Sequence, residues 1–234
     1  MAKRTVGIII PAAGSGLRFG GRRPKQFLLF RGLPVLLHSV RFFCRQPETL
    51  QIVVAVPSTD DNLVRQSAKR LGPAGKRVLW IPGGASRHAS VENSLGNLSA
   101  DCEWVAVHDA VRPLIDHPLY GSVLQAAKMT GAAIPGLSVV DTLKRLGHSA
   151  HVLETVSRDN LVAVQTPQVF RRNILVDAFR KARHEEFAGT DEASLVERMG
   201  IPVAVVPGSR RNIKITVPSD LVLAEWLWAH RRWK

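Results

Sequence analysis

The strongest constraint on the fold of this chain is an alternation. Strand-length apolar runs take turns with amphipathic stretches of helical period. The runs Val6–Ile10, Ile52–Val56, Val78–Ile81, Trp104–Val107, Ala132–Pro135 and Val203–Val206 predict strands. The stretches Leu36–Arg45, Asn62–Leu71, Arg87–Leu98, Leu119–Thr130, Asn173–His184, Glu192–Met199 and Ser219–Arg232 predict helices. The expectation is therefore an α/β fold, a mostly parallel sheet flanked by helices. No repeat, low-complexity tract or linker divides the chain, so residues 1–234 read as a single domain able to bury its own core.

One segment departs from the alternation. Ser138–Arg145 and His151–Ser157 are β-rich and flank the short turn Gly147-His148-Ser149. They predict a hairpin arm over residues 138–158, inserted between a core strand and the next helix. A protruding hairpin leaves its edges unpaired, and a second copy of the chain is the economical cover, so a homodimer is expected.

No apolar run reaches the roughly 18 residues that span a bilayer, so no membrane partner is expected. Residues 1–11 place charge before an apolar segment, but that segment is short and runs into a glycine loop, which reads as a first strand rather than a signal. Cys44 and Cys102 are far apart in apolar surroundings and predict two buried thiols in a reducing, cytoplasmic setting. The formal charge of +13 is unusual and raises nucleic acid as a partner. The excess does not form an aromatic-studded basic ribbon, and nucleic acid is not expected. Part of it lies in residues 1–47, which contain no Asp or Glu but carry Lys3, Arg4, Arg18, Arg22, Arg23, Lys25, Arg31, Arg41 and Arg45.

That basic stretch surrounds the loop Pro11-Ala12-Ala13-Gly14-Ser15-Gly16-Leu17-Arg18-Phe19-Gly20-Gly21, which follows the first strand. Loops at the carboxyl ends of parallel strands are where α/β sheets bind ligands. Small residues let backbone N–H groups approach phosphate oxygens. The chain has no Gly-x-x-x-x-Gly-Lys-Ser/Thr string, and Phe19 replaces the third glycine of the dinucleotide fingerprint. What stands here is Gly-x-Gly-x-Arg followed by Pro24-Lys25-Gln26-Phe27. Backbone donors together with Arg18 and Lys25 can surround a triphosphate and stabilise charge that develops as pyrophosphate departs.

This signature closely resembles that of the 2-C-methyl-D-erythritol 4-phosphate cytidylyltransferase family of the non-mevalonate isoprenoid pathway. The resemblance continues in order through Gly83-Gly84-Ala85-Ser86-Arg87-His88-Ala89-Ser90-Val91, His108-Asp109-Ala110-Val111-Arg112-Pro113 and Asp141-Thr142-Leu143-Lys144-Arg145. It ends with Gln165-Thr166-Pro167-Gln168, Thr190-Asp191-Glu192-Ala193-Ser194 and Asn212-Ile213-Lys214-Ile215-Thr216. It implies a Rossmann-like nucleotidyltransferase fold and transfer of CMP from CTP to a sugar-alcohol phosphate, with magnesium or another divalent cation as cofactor. In the family's pattern Arg18, Lys25 and Lys214 are catalytic. Pro11, Ala12, Ala13, Gly14, Gly16, Gly84, Ser90 and Asp109 bind CTP, with Asp109 also at the metal. Ala110, Arg112, Thr142, Arg158, Thr166 and Thr190 contact the acceptor, Thr142 and Arg158 in the neighbouring subunit's site.

From the residues alone, Asp109 follows an apolar strand and faces the loop, where it suits a divalent cation, a ribose hydroxyl or the cap of the next helix. Lys214 falls in a short β-like segment. His88, His108 and His117 share no metal-ligand spacing, and His108 beside Asp109 is not expected to relay protons. The nearest alternative is a D-ribitol-5-phosphate cytidylyltransferase, for which a Leu-Ala-Gly-Gly loop would be expected in place of Pro11–Gly14.

Overall fold

The computed structural model describes residues 3–14, 24–59, 62–148 and 150–230. An eight-stranded sheet forms from β1 (Val6–Pro11), β4 (Thr49–Val56), β5 (Val78–Pro82), β6 (Trp104–Val107), β7 (Ala132–Ser138), β10 (Val162–Val164), β11 (Gln168–Arg171) and β12 (Ala204–Pro207). A small hairpin of β2 (Leu29–Phe30) and β3 (Leu33–Pro34) precedes α1 (Val35–Cys44). The other helices are α2 (Asn62–Lys69), α3 (Arg87–Gly96), α4 (His117–Thr130), α5 (Arg172–His184), α6 (Glu192–Glu197) and α7 (Pro218–Ala229).

The sheet is built outward from β1, which pairs in parallel with β4 on one side and β6 on the other. Because successive side chains of a strand point to opposite faces, these strands feed two cores. Ile8, Ile10, Ile52 and Val54 pack with Leu36, Leu37 and Phe43 of α1 and with Val123 of α4. Ile9, Val53, Val105 and Val107 pack with Val91 and Leu95 of α3 and with Leu175 and Phe179 of α5. Burial on both faces is why these strands read as unbroken apolar runs.

Two strands of the main sheet were not foreseen, nor was the small β2–β3 hairpin. β10 and β11 are short and run antiparallel, β11 lying between β6 and β7 and bonded to both. They make the sheet mixed, though its centre remains parallel. The arm also begins later than expected. Ser138 pairs with Val162 and so belongs to the main sheet. The arm proper is β8 (Leu143–Leu146) against β9 (Val152–Val156), in a two-stranded sheet of its own. Its apolar side chains Leu146, Val152 and Leu153 are all more than half exposed. Lys214 lies in an irregular segment instead of a strand, held by the Ile215 N–H donating to the Val111 carbonyl at 2.9 Å. Among the described residues no helix is long and apolar enough to cross a membrane.

Candidate active site

The chain crosses from one side of β1 to the other between β5 and β6, so a crevice opens where the loops after β1, β5 and β6 meet at the sheet's carboxyl edge. These loops enclose a cavity of about 660 Å³. The loop after β1 forms its floor and is tied down on several sides. The Ala12 N–H donates to the Ala55 carbonyl at 2.7 Å. Buried Gln26 donates through Nε2 to the carbonyls of Ala12 at 2.7 Å and Gly14 at 2.9 Å.

The loop after β5 leans on that floor. A side chain at Gly83 would collide with the Ala13 methyl, and a Cβ on Gly84 would lie 2.5 Å from Ala89 Cβ. Both glycines are therefore demanded by close approach. Ser86 caps α3 by accepting the Ala89 N–H at 3.0 Å. Ser90 Oγ accepts the Gly84 N–H at 3.0 Å and donates to the Ser86 carbonyl at 2.8 Å, which sets the backbone of the wall.

Opposite this wall, Asp109 is the hub of a charge cluster. Lys214 Nζ lies 3.0 Å and Arg112 Nε 3.2 Å from its Oδ2, and Arg87 Nε lies 3.5 Å from Oδ1. Burial alone would raise the pKa of this carboxyl. The charges of Lys214, Arg87 and Arg112 outweigh burial and hold it well below the usual carboxylate range. Arg87 also grips Glu192 in a two-pronged pair, Nη1 to Oε1 at 2.7 Å and Nη2 to Oε2 at 3.0 Å. Glu192 opens α6 yet turns inward and is 2% exposed. Burial pushes its pKa up, and the Arg87 charge opposes that shift.

His108 is fully buried and both its ring nitrogens are engaged. A carbonyl can only accept, so Nε2–H donates to the Arg112 carbonyl at 3.1 Å. Nδ1 then accepts from Thr166 Oγ1 at 3.1 Å, and Thr166 Oγ1 accepts the Asp109 N–H at 3.0 Å. Desolvation pushes the imidazole pKa down to about 4, so the ring is neutral near pH 7. It is a strut beneath Asp109. The helix cap after this loop is Asp116, whose Oδ1 accepts the Leu119 N–H, so Asp109 is not the cap.

Of the expected site residues, Pro11, Ala12, Ala13, Gly14, Lys25, Gly84, Ser90, Asp109, Ala110 and Lys214 line this one cavity. Arg112 is buried behind Asp109, with Nη1 donating to the Asn212 carbonyl at 2.7 Å. Thr166 lies underneath, bonded to the Asp109 loop. Thr142 and Arg158 are exposed on the arm, and Thr190 is exposed before α6; none of the three lines the cavity. Gly16 and Arg18 lie outside the described residues. The sequence reading gave no role to Gln26, Arg87 or Glu192. Gln26 could have been found as a polar residue just after the basic Lys25; the Arg87–Glu192 pair spans 105 positions and leaves no local pattern.

Asp109 offers the hard oxygen donors that magnesium takes, and magnesium commonly uses one carboxylate plus phosphate oxygens. Three cations already face that carboxylate, and no group of three or more His, Cys, Asp or Glu among the described residues could hold a metal alone. The donor set therefore fits a divalent cation that arrives with a nucleotide's phosphates.

A parallel-centred sheet with a lysine-flanked, triphosphate-sized cleft at its switch point defines the class: an α/β nucleotidyltransferase. Residues 6–230 match the model of one family within it, 2-C-methyl-D-erythritol 4-phosphate cytidylyltransferase. The protein of that name from Solibacter usitatus is 49% identical over 229 residues, covering 94% of this chain and 93% of its own length. The one from Acidobacterium capsulatum is 42% identical over 233 residues, covering 96% and 97%. A crystal structure of the Thermus thermophilus enzyme superposes with a TM-score of 0.78 at 36% identity, over 95% of this chain and 98% of that one. The Francisella tularensis enzyme gives 0.82 at 31% identity, over 95% and 99%. The chain belongs to the 2-C-methyl-D-erythritol 4-phosphate cytidylyltransferase family.

Proposed function

We infer that the protein transfers CMP from CTP to 2-C-methyl-D-erythritol 4-phosphate, giving 4-diphosphocytidyl-2-C-methyl-D-erythritol and pyrophosphate in isoprenoid precursor biosynthesis. The observation that carries this reading is the convergence of Lys25, Lys214 and Arg87 with Asp109 on one cleft floored by the Pro11–Gly14 loop. Family membership does not favour D-ribitol 5-phosphate as acceptor.

An acceptor phosphate oxygen forms a bond to the α-phosphorus of CTP while the bond from that phosphorus to the bridging β-phosphate oxygen breaks, and pyrophosphate carries away the electron pair. A phosphate monoester is already ionised near neutral pH, so no general base is required, in keeping with a His108 ring whose nitrogens are both engaged. Rate enhancement then comes from alignment and charge stabilisation. Lys25 and Lys214 line the cleft and would meet the phosphates, and the family pattern assigns Arg18 the same task. Pro11, Ala12, Ala13 and Gly14 would cradle them or the nucleoside, a task the family pattern also gives Gly16, and Gly84 and Ser90 would present fixed groups to the cytosine and ribose. A magnesium ion held by Asp109 and the phosphates would supply further charge neutralisation. Lys214 would turn from Asp109 to the phosphates as the nucleotide enters.

Arg112, Ala110, Thr166 and Thr190 would orient the acceptor. Thr142 and Arg158 would reach the partner's cleft from the arm at residues 138–158, making the homodimer the active unit of an otherwise single-domain, cytoplasmic enzyme. Exposed Leu146, Val152 and Leu153 support that reading, since an apolar arm needs a cover. The test is magnesium-dependent pyrophosphate release from CTP with 2-C-methyl-D-erythritol 4-phosphate and D-ribitol 5-phosphate offered in parallel. Release with the first alone, abolished in Lys25→Ala, is expected. Release with ribitol phosphate alone, or with neither, would overturn the assignment.

A further inference from the structure

A second cavity, of about 690 Å³, opens on the α1 and α4 side of the sheet and shares no lining residue with the catalytic cleft. Its charge is one-sided. Arg31, Arg41, Arg45 and Arg211 line it, brought together from the β2–β3 turn, α1 and the segment before α7. Three of these four come from the acid-free stretch of residues 1–47, whose basicity the catalytic chemistry does not use up. Asp116 is the lone carboxylate on the lining among the described residues, and it is committed to capping α4. Arg31 is 3.5 Å from Glu225, but both side chains are well exposed, so that pair neutralises little. Arg41 gives one N–H to the Arg70 carbonyl at 2.9 Å, and a guanidinium has five donors to offer. Like charges around a concavity repel one another, and an anion relieves that repulsion.

The remaining wall is mostly apolar, with His38 and His117 among Leu33, Phe42, Ile115 and Trp228, and it is firmly set. Trp228 meets Phe30 and His38 edge-on, with centroids 5.4 and 5.1 Å away, and Phe42 packs on Tyr120 at 6.0 Å. A volume of this size lies within the range of small-molecule sites. We propose that this cavity is a second ligand site, for an organic phosphate whose anionic head the arginines hold and whose apolar or aromatic part rests on Phe42 and Trp228. Two chain neighbours connect this cavity with the Asp109 cluster of the catalytic cleft. Pro113 and Arg211 line it, while the adjacent Arg112 and Asn212 are bonded to each other behind Asp109. An occupant would thus press on the segment that holds Arg112.

Calorimetric titration of 1-naphthyl phosphate into the full chain tests this, with inorganic phosphate as the comparison. Binding should persist in the catalytic double variant Lys25→Ala/Lys214→Ala. It should weaken at least tenfold in Arg41→Ala/Arg45→Ala, whose CTP turnover should match wild type. Arg45→Glu, at an exposed rim position, guards against misfolding; it should weaken binding several-fold with an unchanged melting temperature. Binding that vanishes in the catalytic variant but survives in both arginine variants would overturn the proposal. Equal affinity for inorganic and naphthyl phosphate would overturn the apolar half of the site.

Discussion

Asp109 is ionised because three cations surround it, and the dependence is mutual. Asp109→Asn leaves Lys214, Arg87 and Arg112 facing one another, so kcat/KM should fall by about a hundredfold or more in steady-state assays, the loss typical of a preorganised electrostatic group. Glu192→Gln removes the charge that Arg87 grips and should cost about 3 kcal/mol in urea unfolding, the low end for a broken buried pair since Arg87 is partly open to solvent. His108 gives a pH signature. Its folded pKa of about 4 lies below the ordinary value of 6.5, so the unfolded chain binds the extra proton between those values. Its contribution is therefore complete above about pH 6.5 and is lost as pH falls toward about 4. The stability advantage of wild type over His108→Asn should shrink by roughly 3 kcal/mol across that window, at about 1.4 kcal/mol per pKa unit. Lys25, Asp109 and Lys214 were legible in the sequence because each sits beside a strand or in a distinctive block. Arg87 and Glu192 were not, because pairing between distant residues exists only once the sheet has brought α3 and α6 together.

At the scale of elements, the central strands β1, β4 and β6 could be read because burial on both faces makes them apolar throughout. β10 and β11 could not. β10 has only three residues, all exposed, and β11 finds its place through partners on two other strands. The arm was legible as β-rich sequence, but its start was misplaced because Ser138 continues the main sheet. The loops after β1 and β5 touch without clearance, and Gly83→Ala must push one aside. A displacement on the ångström scale costs about a hundredfold in rate, so kcat/KM for CTP should fall by that order while the melting temperature shifts little.

For the whole molecule, the arm makes an assembly prediction. If Arg158 serves the partner's cleft, Lys25→Ala and Arg158→Ala chains are each inactive alone, but a mixed dimer regains one complete site. Unfolding and refolding the two together should restore about a quarter of wild-type activity, as random C2 reassortment gives half mixed dimers with one working site each. No recovery would mean that each chain completes its own site.

The contact between Gly83 and Ala13 also has a genealogical side. Two positions seventy residues apart divide one fixed volume, so position 83 cannot gain a side chain while Ala13 keeps its methyl. Among descendants of this fold, a side chain at position 83 should be found only where position 13 has shrunk to glycine. The lineage would have to shrink position 13 first, since the reverse order passes through a crippled ancestor.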